Sequence, residues 1–285
     1  MLTRIDPVDY LIIGHLTQDI LPNGLKLGGT AAYASRTALA LGARVGIVTS
    51  TASSLQTPEL QGISIHNYPA EFTSTFENIS IPHGRIQYIH YKAEELHENM
   101  VPTTWRSAPI VHIAPIANEV NPHLASAFPN SFVGVTPQGF MRSWDGDHRV
   151  HFRDWLEAPL VLNHASAVVF SIEDVENDES RIESMLPYTR VMVVTEGAAG
   201  CRVYWNGDVR TIRPPQVEEV ESTGAGDIFA ASFFIRLQST RDPWEAARFA
   251  TQVAARSVTR RGMESTPTRE EMLDFLIEVT PRIEP

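Results

Sequence analysis

The sequence predicts an α/β protein with a central, mostly parallel sheet, helices on both faces and a small β flap. Three features predict it. Short Ile- and Val-rich runs recur along the chain and end at polar or glycine-containing segments. An Ala- and Leu-rich stretch closed by a glycine separates the first two runs. Between residues 63 and 91, apolar and polar residues alternate instead. Continuous apolar runs belong to strands buried on both faces, whereas alternation belongs to strands with one face in water.

Tyr10-Leu11-Ile12-Ile13-Gly14 reads as the first buried strand, with residues 15–19 at its carboxyl end. After Pro22-Asn23-Gly24 and Gly28-Gly29-Thr30, residues 31–41 favour helix, and Gly42 suits the position just past its end. Residues 43–50 return as a β-rich run, which completes a βαβ unit. Ile63-Ser64-Ile65-His66, Phe72-Thr73-Ser74-Thr75-Phe76 and Arg85-Ile86-Gln87-Tyr88-Ile89 are expected as half-exposed antiparallel strands that supply the flap. Buried runs resume at Ile110-Val111-His112-Ile113, Phe132-Val133-Gly134-Val135, Ala167-Val168-Val169-Phe170 and Val191-Met192-Val193-Val194-Thr195. The ligand crevice of an open parallel sheet lies where such strands end. Asp242-Pro243-Trp244-Glu245 combines an N-cap acid, proline at the first helical position and a capping-box Glu, predicting a helix over 243–258. Thr268-Arg269-Glu270-Glu271 predicts a last helix reaching about residue 279. No internal repeat or linker interrupts the pattern, so residues 1–285 are read as a single domain carrying the flap.

A net charge of −11 argues against a nucleic-acid partner, because phosphate backbones are held by clustered Lys and Arg. The densest basic stretch, Arg256 with Arg260-Arg261, reads as a solvated helix end. A lone cysteine, Cys201, allows no intrachain disulfide and reads as a small buried residue, which fits a reducing compartment. Nowhere do eighteen apolar residues run together, and residues 1–7 carry acid and proline where a secretion signal needs an apolar stretch, so no membrane span and a cytoplasmic location are expected. The ten histidines, from His15 to His164, show no metal-ligand spacing and are expected to be incidental; no acyl-transfer elbow or P-loop is present.

The chemistry concentrates at Glu221-Ser222-Thr223-Gly224-Ala225-Gly226-Asp227, which precedes the apolar, helix-forming Ile228-Phe229-Ala230-Ala231. Amides at a helix N-terminus lack intrahelical partners and the helix dipole is positive there, so a turn bare of Cβ atoms can close around a phosphate. A carboxylate beside it can take a proton from a hydroxyl attacking phosphorus. Alternatively, Gly224 and Gly226 shape a loop and Asp227 caps the helix.

Ser222-Thr223-Gly224-Ala225-Gly226-Asp227 resembles the C-terminal signature of the ribokinase-like PfkB family of carbohydrate kinases. Asp19 with Gly28-Gly29, Leu41-Gly42-Ala43 and Thr195-Glu196-Gly197-Ala198-Ala199-Gly200 resemble further family segments in the same order. The resemblance implies that Asp227 is the catalytic base, that Gly224, Ala225 and Gly226 form the anion hole, and that Asp19, Gly28 and Gly29 bind acceptor hydroxyls. Asp19 suits that role because a carboxylate accepts from two adjacent hydroxyls. Thr195, Gly197 and Gly200, with Thr223, are implied to lie beside ATP; a strand-to-hairpin turn explains these glycines too. Ser171-Ile172-Glu173-Asp174 stands in the place of a family segment that acts around Mg²⁺, with Glu173 or Asp174 as the carboxylate. Gln138 and Arg142 follow a strand in the acceptor half and are candidate substrate contacts; for Arg142 an ion pair tying down the loop is the alternative.

Glu221 replaces a customary Asp, Tyr33 replaces a substrate-side Asn of ribokinase-type members, and few residues separate Asp19 from Gly28, leaving little chain there for a lid. Gly14-His15-Leu16-Thr17-Gln18-Asp19 is similar to plant-type myo-inositol kinases. The expectation is therefore an ATP- and Mg²⁺-dependent kinase acting on a sugar, cyclitol or nucleoside. An inactive ligand sensor on the same fold is the alternative, and exposed flap edges make a homodimer plausible. A dinucleotide-dependent oxidoreductase would need GxGxxG after the first strand, and Gly14-His15-Leu16-Thr17 lacks it.

Overall fold

Tyr10 and Ile12 pack on one side of the first strand, Leu11 and Ile13 on the other, and all four are fully buried. A strand with two apolar faces must lie inside a sheet covered on both sides. The computed structural model describes residues 5–81 and 84–276 and gives that sheet. The strands are β1 (Tyr10–Ile13), β2 (Thr17–Leu21), β3 (Gly24–Gly28), β4 (Val45–Thr51), β5 (Ser64–Pro69), β6 (Thr75–Ile81), β7 (Gly84–Tyr91) and β8 (Ile110–Ile113). They continue with β9 (Phe132–Val135), β10 (Arg142–Trp144), β11 (Val150–Phe152), β12 (Ala167–Ser171), β13 (Val191–Thr195), β14 (Cys201–Trp205) and β15 (Asp208–Ile212). The α-helices are α1 (Thr30–Ala40), α2 (Ala158–Leu162), α3 (Glu179–Met185), α4 (Ala225–Thr240), α5 (Pro243–Ser257) and α6 (Arg269–Leu276).

Among the described residues, nine strands form one sheet in the order β15-β14-β13-β12-β9-β8-β1-β4-β5, parallel from β13 to β5 and closed by the antiparallel β14 and β15. Helices α1, α4, α5 and α6 cover one face. The other packs against α2, α3 and the short helical turns that carry Trp105 and Leu124. From β1 the chain moves outward to β4 on one side, and from β8 to β9 on the other, so the loops after β1 and β8 diverge and open a crevice between them.

The flap is a second sheet, β3-β2-β6-β7. Phe76 and Ile89 on its inner side pack with Ile116 and Ala117 from the loop after β8, and with Trp144 and Val150 of the β10–β11 hairpin. The strand-level expectation needs two corrections here. Residues 64–69 pair parallel with β4 as the edge of the main sheet; they alternate because an edge strand wets one face. The short Asp19-to-Gly28 segment, read as leaving little chain for a lid, folds into the hairpin β2–β3 and supplies half of the flap.

Helix α1 ends as its sequence directs, with Gly42 at φ +89° and the Ala43 amide returning to Ala38 O. At α5 the Asp242 carboxylate accepts from Trp244 N and Glu245 N, but Glu245 pairs with Arg236 of α4 instead of closing a capping box. At α6 the box is reciprocal: Glu271 N donates to Thr268 Oγ1 and Thr268 N to Glu271 Oε2. Residues 277–279, expected to continue that helix, lie outside the described residues, as do residues 1–4 and His83.

Helix α4 lies close on the sheet at one point. A Cβ on Gly134 of β9 would stand 2.5 Å from the Phe234 ring, whose edge meets His112 of β8 at a centroid distance of 5.0 Å. His112 is bonded to the Tyr10 hydroxyl (2.8 Å) and to Thr136 Oγ1 (2.9 Å), and burial pushes its pKa down to about 3, so it stays neutral. Gly134→Ala should therefore cost about 1–3 kcal/mol through overpacking, visible as a melting temperature several degrees lower by calorimetry. Unchanged melting would mean that Phe234 has room to move.

Candidate active site

Loops at the crevice are fixed first by a buried carboxylate. Glu119 is fully inaccessible and accepts the backbone N–H groups of His15 (3.0 Å), Ile116 (2.9 Å) and Ala117 (2.6 Å), joining the loop after β1 to the loop after β8. His15, also buried, bonds through Nε2 to Glu94 O at 2.8 Å; a carbonyl only accepts, so Nε2 carries the proton and Nδ1 accepts from the Ser74 hydroxyl at 2.7 Å. Burial pushes the His15 pKa down. Two of the histidines expected to be incidental, His15 and His112, are thus structural joints.

Across the crevice, Gly224 opens α4 with φ +82°, and a Cβ there would lie 2.3 Å from the Tyr33 ring of α1. Only glycine satisfies both conditions. The turn is steadied by Ala225 N donating to Ser222 O and Ile228 N to Gly224 O. The first-turn amides of Gly226 and Asp227 have no carbonyl of the same helix to meet, and they stand at the positive end of its dipole.

Asp227 is partly buried in that first turn, and the hydroxyl of Thr30, first residue of α1, donates to it. Its pKa is pushed up to about 6: burial is the largest cause, the nearby Asp174 charge adds to it, and the Thr30 hydrogen bond and the Arg142 charge oppose it. Arg142 Nη1 donates to Ile116 O at 3.0 Å. Gln138 Nε2 donates to Asp174 Oδ1 at 2.7 Å, while Asp174 Oδ2 accepts from Ser171 N at 2.9 Å. The fold therefore gathers Asp227, Asp174, Arg142 and Gln138, from three separate stretches of sequence. Glu173 is exposed beside them. Among the described residues, no group of three or more His, Cys, Asp or Glu side chains is arranged to hold a metal by itself.

Asp19 lies on β2 of the flap. A Cβ on Gly28 would stand 2.4 Å from its Oδ2, and one on Gly29 (φ +87°) would stand 2.8 Å from His15 O. Asn78 of β6 approaches Asp19 Oδ1 at 3.5 Å. Tyr33 is buried between α1 and the Gly224 turn with no hydrogen-bond partner for its hydroxyl among the described residues, and besides burial the charges of Asp227, Glu221 and Asp19 all push its pKa up. Asp19 and Asp227 thus share the space around one phenol.

The remaining expected residues lie along β13 and the loop after β15. Thr195 Oγ1 donates to Phe170 O at 3.4 Å, Gly197 and Thr223 are exposed, and Gly200 at φ +102° sits against Ile212 O and Pro214. The hairpin itself thus demands Gly200. Pro214 also lines a cavity of about 520 Å³ whose walls include Arg213, Val217, Arg248, Gln252 and Phe275. The chain from 213 to 221 leads from this cavity to the Gly224 turn. Three residues of the arrangement were not singled out in the sequence: Thr30, Glu119, and Lys26 of β3, whose ammonium is 3.4 Å from Glu221 Oε1. For Thr30 the usable signal was a hydroxyl directly after Gly-Gly at a helix start; Glu119 and Lys26 carried none.

A model described as pfkB family carbohydrate kinase matches residues 155–269. The chain is 38% identical over 138 residues to the ribokinase of Bacillus subtilis, covering 42% of this chain and 47% of that one, so it spans about half the length of that relative. It is 25% identical over 292 residues to inositol 3-kinase of Oryza sativa subsp. japonica, covering 91% and 70%. Its structure is similar to a pyrophosphate-dependent kinase in the ribokinase family complexed with a pyrophosphate analog and myo-inositol (TM-score 0.76, 19% identity, 93% and 99% coverage). It is also similar to Arabidopsis thaliana ribokinase complexed with ribose and ATP (TM-score 0.72, 17% identity, 95% and 99% coverage).

The cost of keeping Asp227 charged has a measurable sign. Its folded pKa, about 6, lies above the ordinary 3.8, so ionisation burdens the native state above pH 6 and the burden is lifted as pH falls towards 4. Asp227→Asn should melt higher than the parent at pH 8, by on the order of 2–3 kcal/mol in stability, with the gap closing below about pH 5. A variant that is less stable at every pH would show that the carboxylate is needed for the fold.

Proposed function

We propose, for a chain that carries a pfkB family carbohydrate kinase domain on a ribokinase-like fold, that residues 1–285 act as one kinase domain. It transfers the γ-phosphoryl group of ATP to a hydroxyl of a small polyhydroxy acceptor: a sugar, a cyclitol such as myo-inositol, or a nucleoside. One observation carries the reading: a carboxylate whose pKa is pushed to about 6 stands in the first turn of a glycine-opened helix, with a second carboxylate, Asp19, near enough for both charges to act on buried Tyr33.

Asp19, with the close backbone of Gly28 and Gly29, receives the acceptor hydroxyls. Asp227 takes the proton of the attacking hydroxyl. A base with a pKa near 6 is still mostly ionised at pH 7 and holds the proton better than an ordinary carboxylate. As the acceptor oxygen bonds to phosphorus and the bond to the leaving phosphate breaks, the Gly226 and Asp227 amides hold the negative charge, while the Ala225 amide, bonded to Ser222 O, shapes the turn with Gly224. Gln138 and Arg142 border the same space, Gln138 orienting Asp174. Mg²⁺ arriving with the donor would screen its phosphates, and it commonly needs few protein carboxylates; Glu173 and Asp174 are the ones at hand. The cavity beside Gly200 is the natural place for the donor's nucleoside, with Thr195, Gly197 and Thr223 along the way. The exposed apolar side chains of Leu25 and Ile79 on the flap favour a homodimer through that sheet.

Asp227→Asn should keep the fold and donor binding and lower kcat by about 10²–10⁴-fold, measured as ADP release with ribose, myo-inositol and nucleosides. In the parent protein kcat/KM for the acceptor should rise with pH through a midpoint near 6; an unchanged rate in the variant removes Asp227 from the base role. No turnover of any acceptor by the parent, with binding retained, would instead favour the inactive sensor. Donor identity is separable. Gln252→Trp, which fills the cavity, should raise KM for ATP about tenfold or more and leave the acceptor KM unchanged. If pyrophosphate is the donor, as in the similar kinase, the substitution will be silent.

A further inference from the structure

Lys26 lies on the flap strand β3, directly across the ladder from Asp19. Its ammonium is 3.4 Å from Glu221 Oε1, with the two side chains 30% and 25% exposed. Glu221 Oε2 accepts the N–H of Gly262 at 3.3 Å. The stem of Lys26 runs over that glycine: a Cβ on Gly262 would stand 2.5 Å from Lys26 Cε and 2.6 Å from Nζ, and its φ is +54°. One carboxylate thus grips the flap and the segment after α5 together. It is itself held in place, because Val220 N and Glu221 N both donate to Val258 O (2.8 and 3.1 Å). Three residues later the chain reaches the Gly224 turn.

We propose that Lys26 is a positioning residue: its ion pair with Glu221 clamps the β2–β3 hairpin to the segment leading into the Gly224 turn and so sets Asp19 opposite Asp227. The clamp rests on the kinase reading for its consequence but not for its existence. Two arguments make it more than a surface contact. The pair is partly buried, so salt screens it less than a fully exposed pair. It also lies among like charges: Asp19, Glu221 and Asp227 all act on Tyr33, and two of them, Asp19 and Glu221, are on opposite sides of the flap junction. Without the ammonium, Glu221 adds its negative charge to those of Asp19 and Asp227 around Tyr33, and the hairpin loses its tie to the turn. Glu221 has the reach to meet Lys26 and Gly262 at once, and Gly262 lacks the Cβ that would displace the lysine.

The test is a double-mutant cycle with Lys26→Met, Glu221→Gln and the pair combined, assayed with ATP or pyrophosphate against ribose and myo-inositol. Each single change should lower kcat/KM for the acceptor about tenfold, with the donor KM within about twofold, and the double variant should be no worse than the weaker single one. Lys26→Arg should recover most of the loss. Fully additive losses, or an undiminished Lys26→Met enzyme, overturn the proposal. Amide hydrogen exchange reads the clamp without catalysis: residues 17–28 should exchange about fivefold faster or more in both single variants, while α4 is unaffected. Unchanged exchange in the hairpin sinks the clamp even if the protein is a kinase. Faster exchange in a protein that phosphorylates none of these acceptors keeps the clamp and counts against the kinase reading.

Discussion

Everything at the crevice depends on the Glu119 carboxylate. A buried carboxylate without partners would cost several kcal/mol, but this one accepts three backbone amides, and such charge-assisted bonds offset the loss of water. In doing so it joins two loops that the sheet sends in opposite directions. Ile116, held by Glu119, offers its carbonyl to Arg142, and its side chain seats the inner face of the flap. The flap in turn carries Asp19. A single buried side chain with no reacting role therefore fixes the frame on which the candidate acceptor site is built.

Asp227 is governed by the opposite balance. Burial and the neighbouring Asp174 disfavour its charge, and one hydroxyl and one guanidinium restore part of it. The outcome is an intermediate pKa, suited to accepting a proton near neutral pH. Glu119 differs in its partners: three backbone amides from two loops bind its carboxylate. Environment, not residue type, separates a carboxylate that joins loops from the candidate base.

Much of this was legible beforehand where the signal was local. Gly42 past α1, Asp242 before α5 and the glycine turn before α4 each act on residues within a turn of themselves, so a stretch of sequence contains both partners. Residues 64–69 misled because alternation reports a wet face, and a flap strand and the edge of a large sheet both have one. Glu245 misled for a related reason: its spacing suits a capping box, and Arg236 of the preceding helix competes for it more strongly.

By itself the sequence determined the sheet's parallel character, the ends of α1 and α5, the start of α6 and the Gly224–Asp227 turn, because periodicity, caps and glycine conformations are properties of neighbouring residues. Only the tertiary structure decided that Thr30 bonds Asp227, that Gln138 bonds Asp174, that the charges of Asp19 and Asp227 both act on Tyr33, and that Lys26 reaches Glu221. Those pairs are separated by 36 to 208 residues, and all but Gln138 and Asp174 by 195 or more. Charge and burial act through space, and that space exists only once the loops after β1 and β8 have been drawn together.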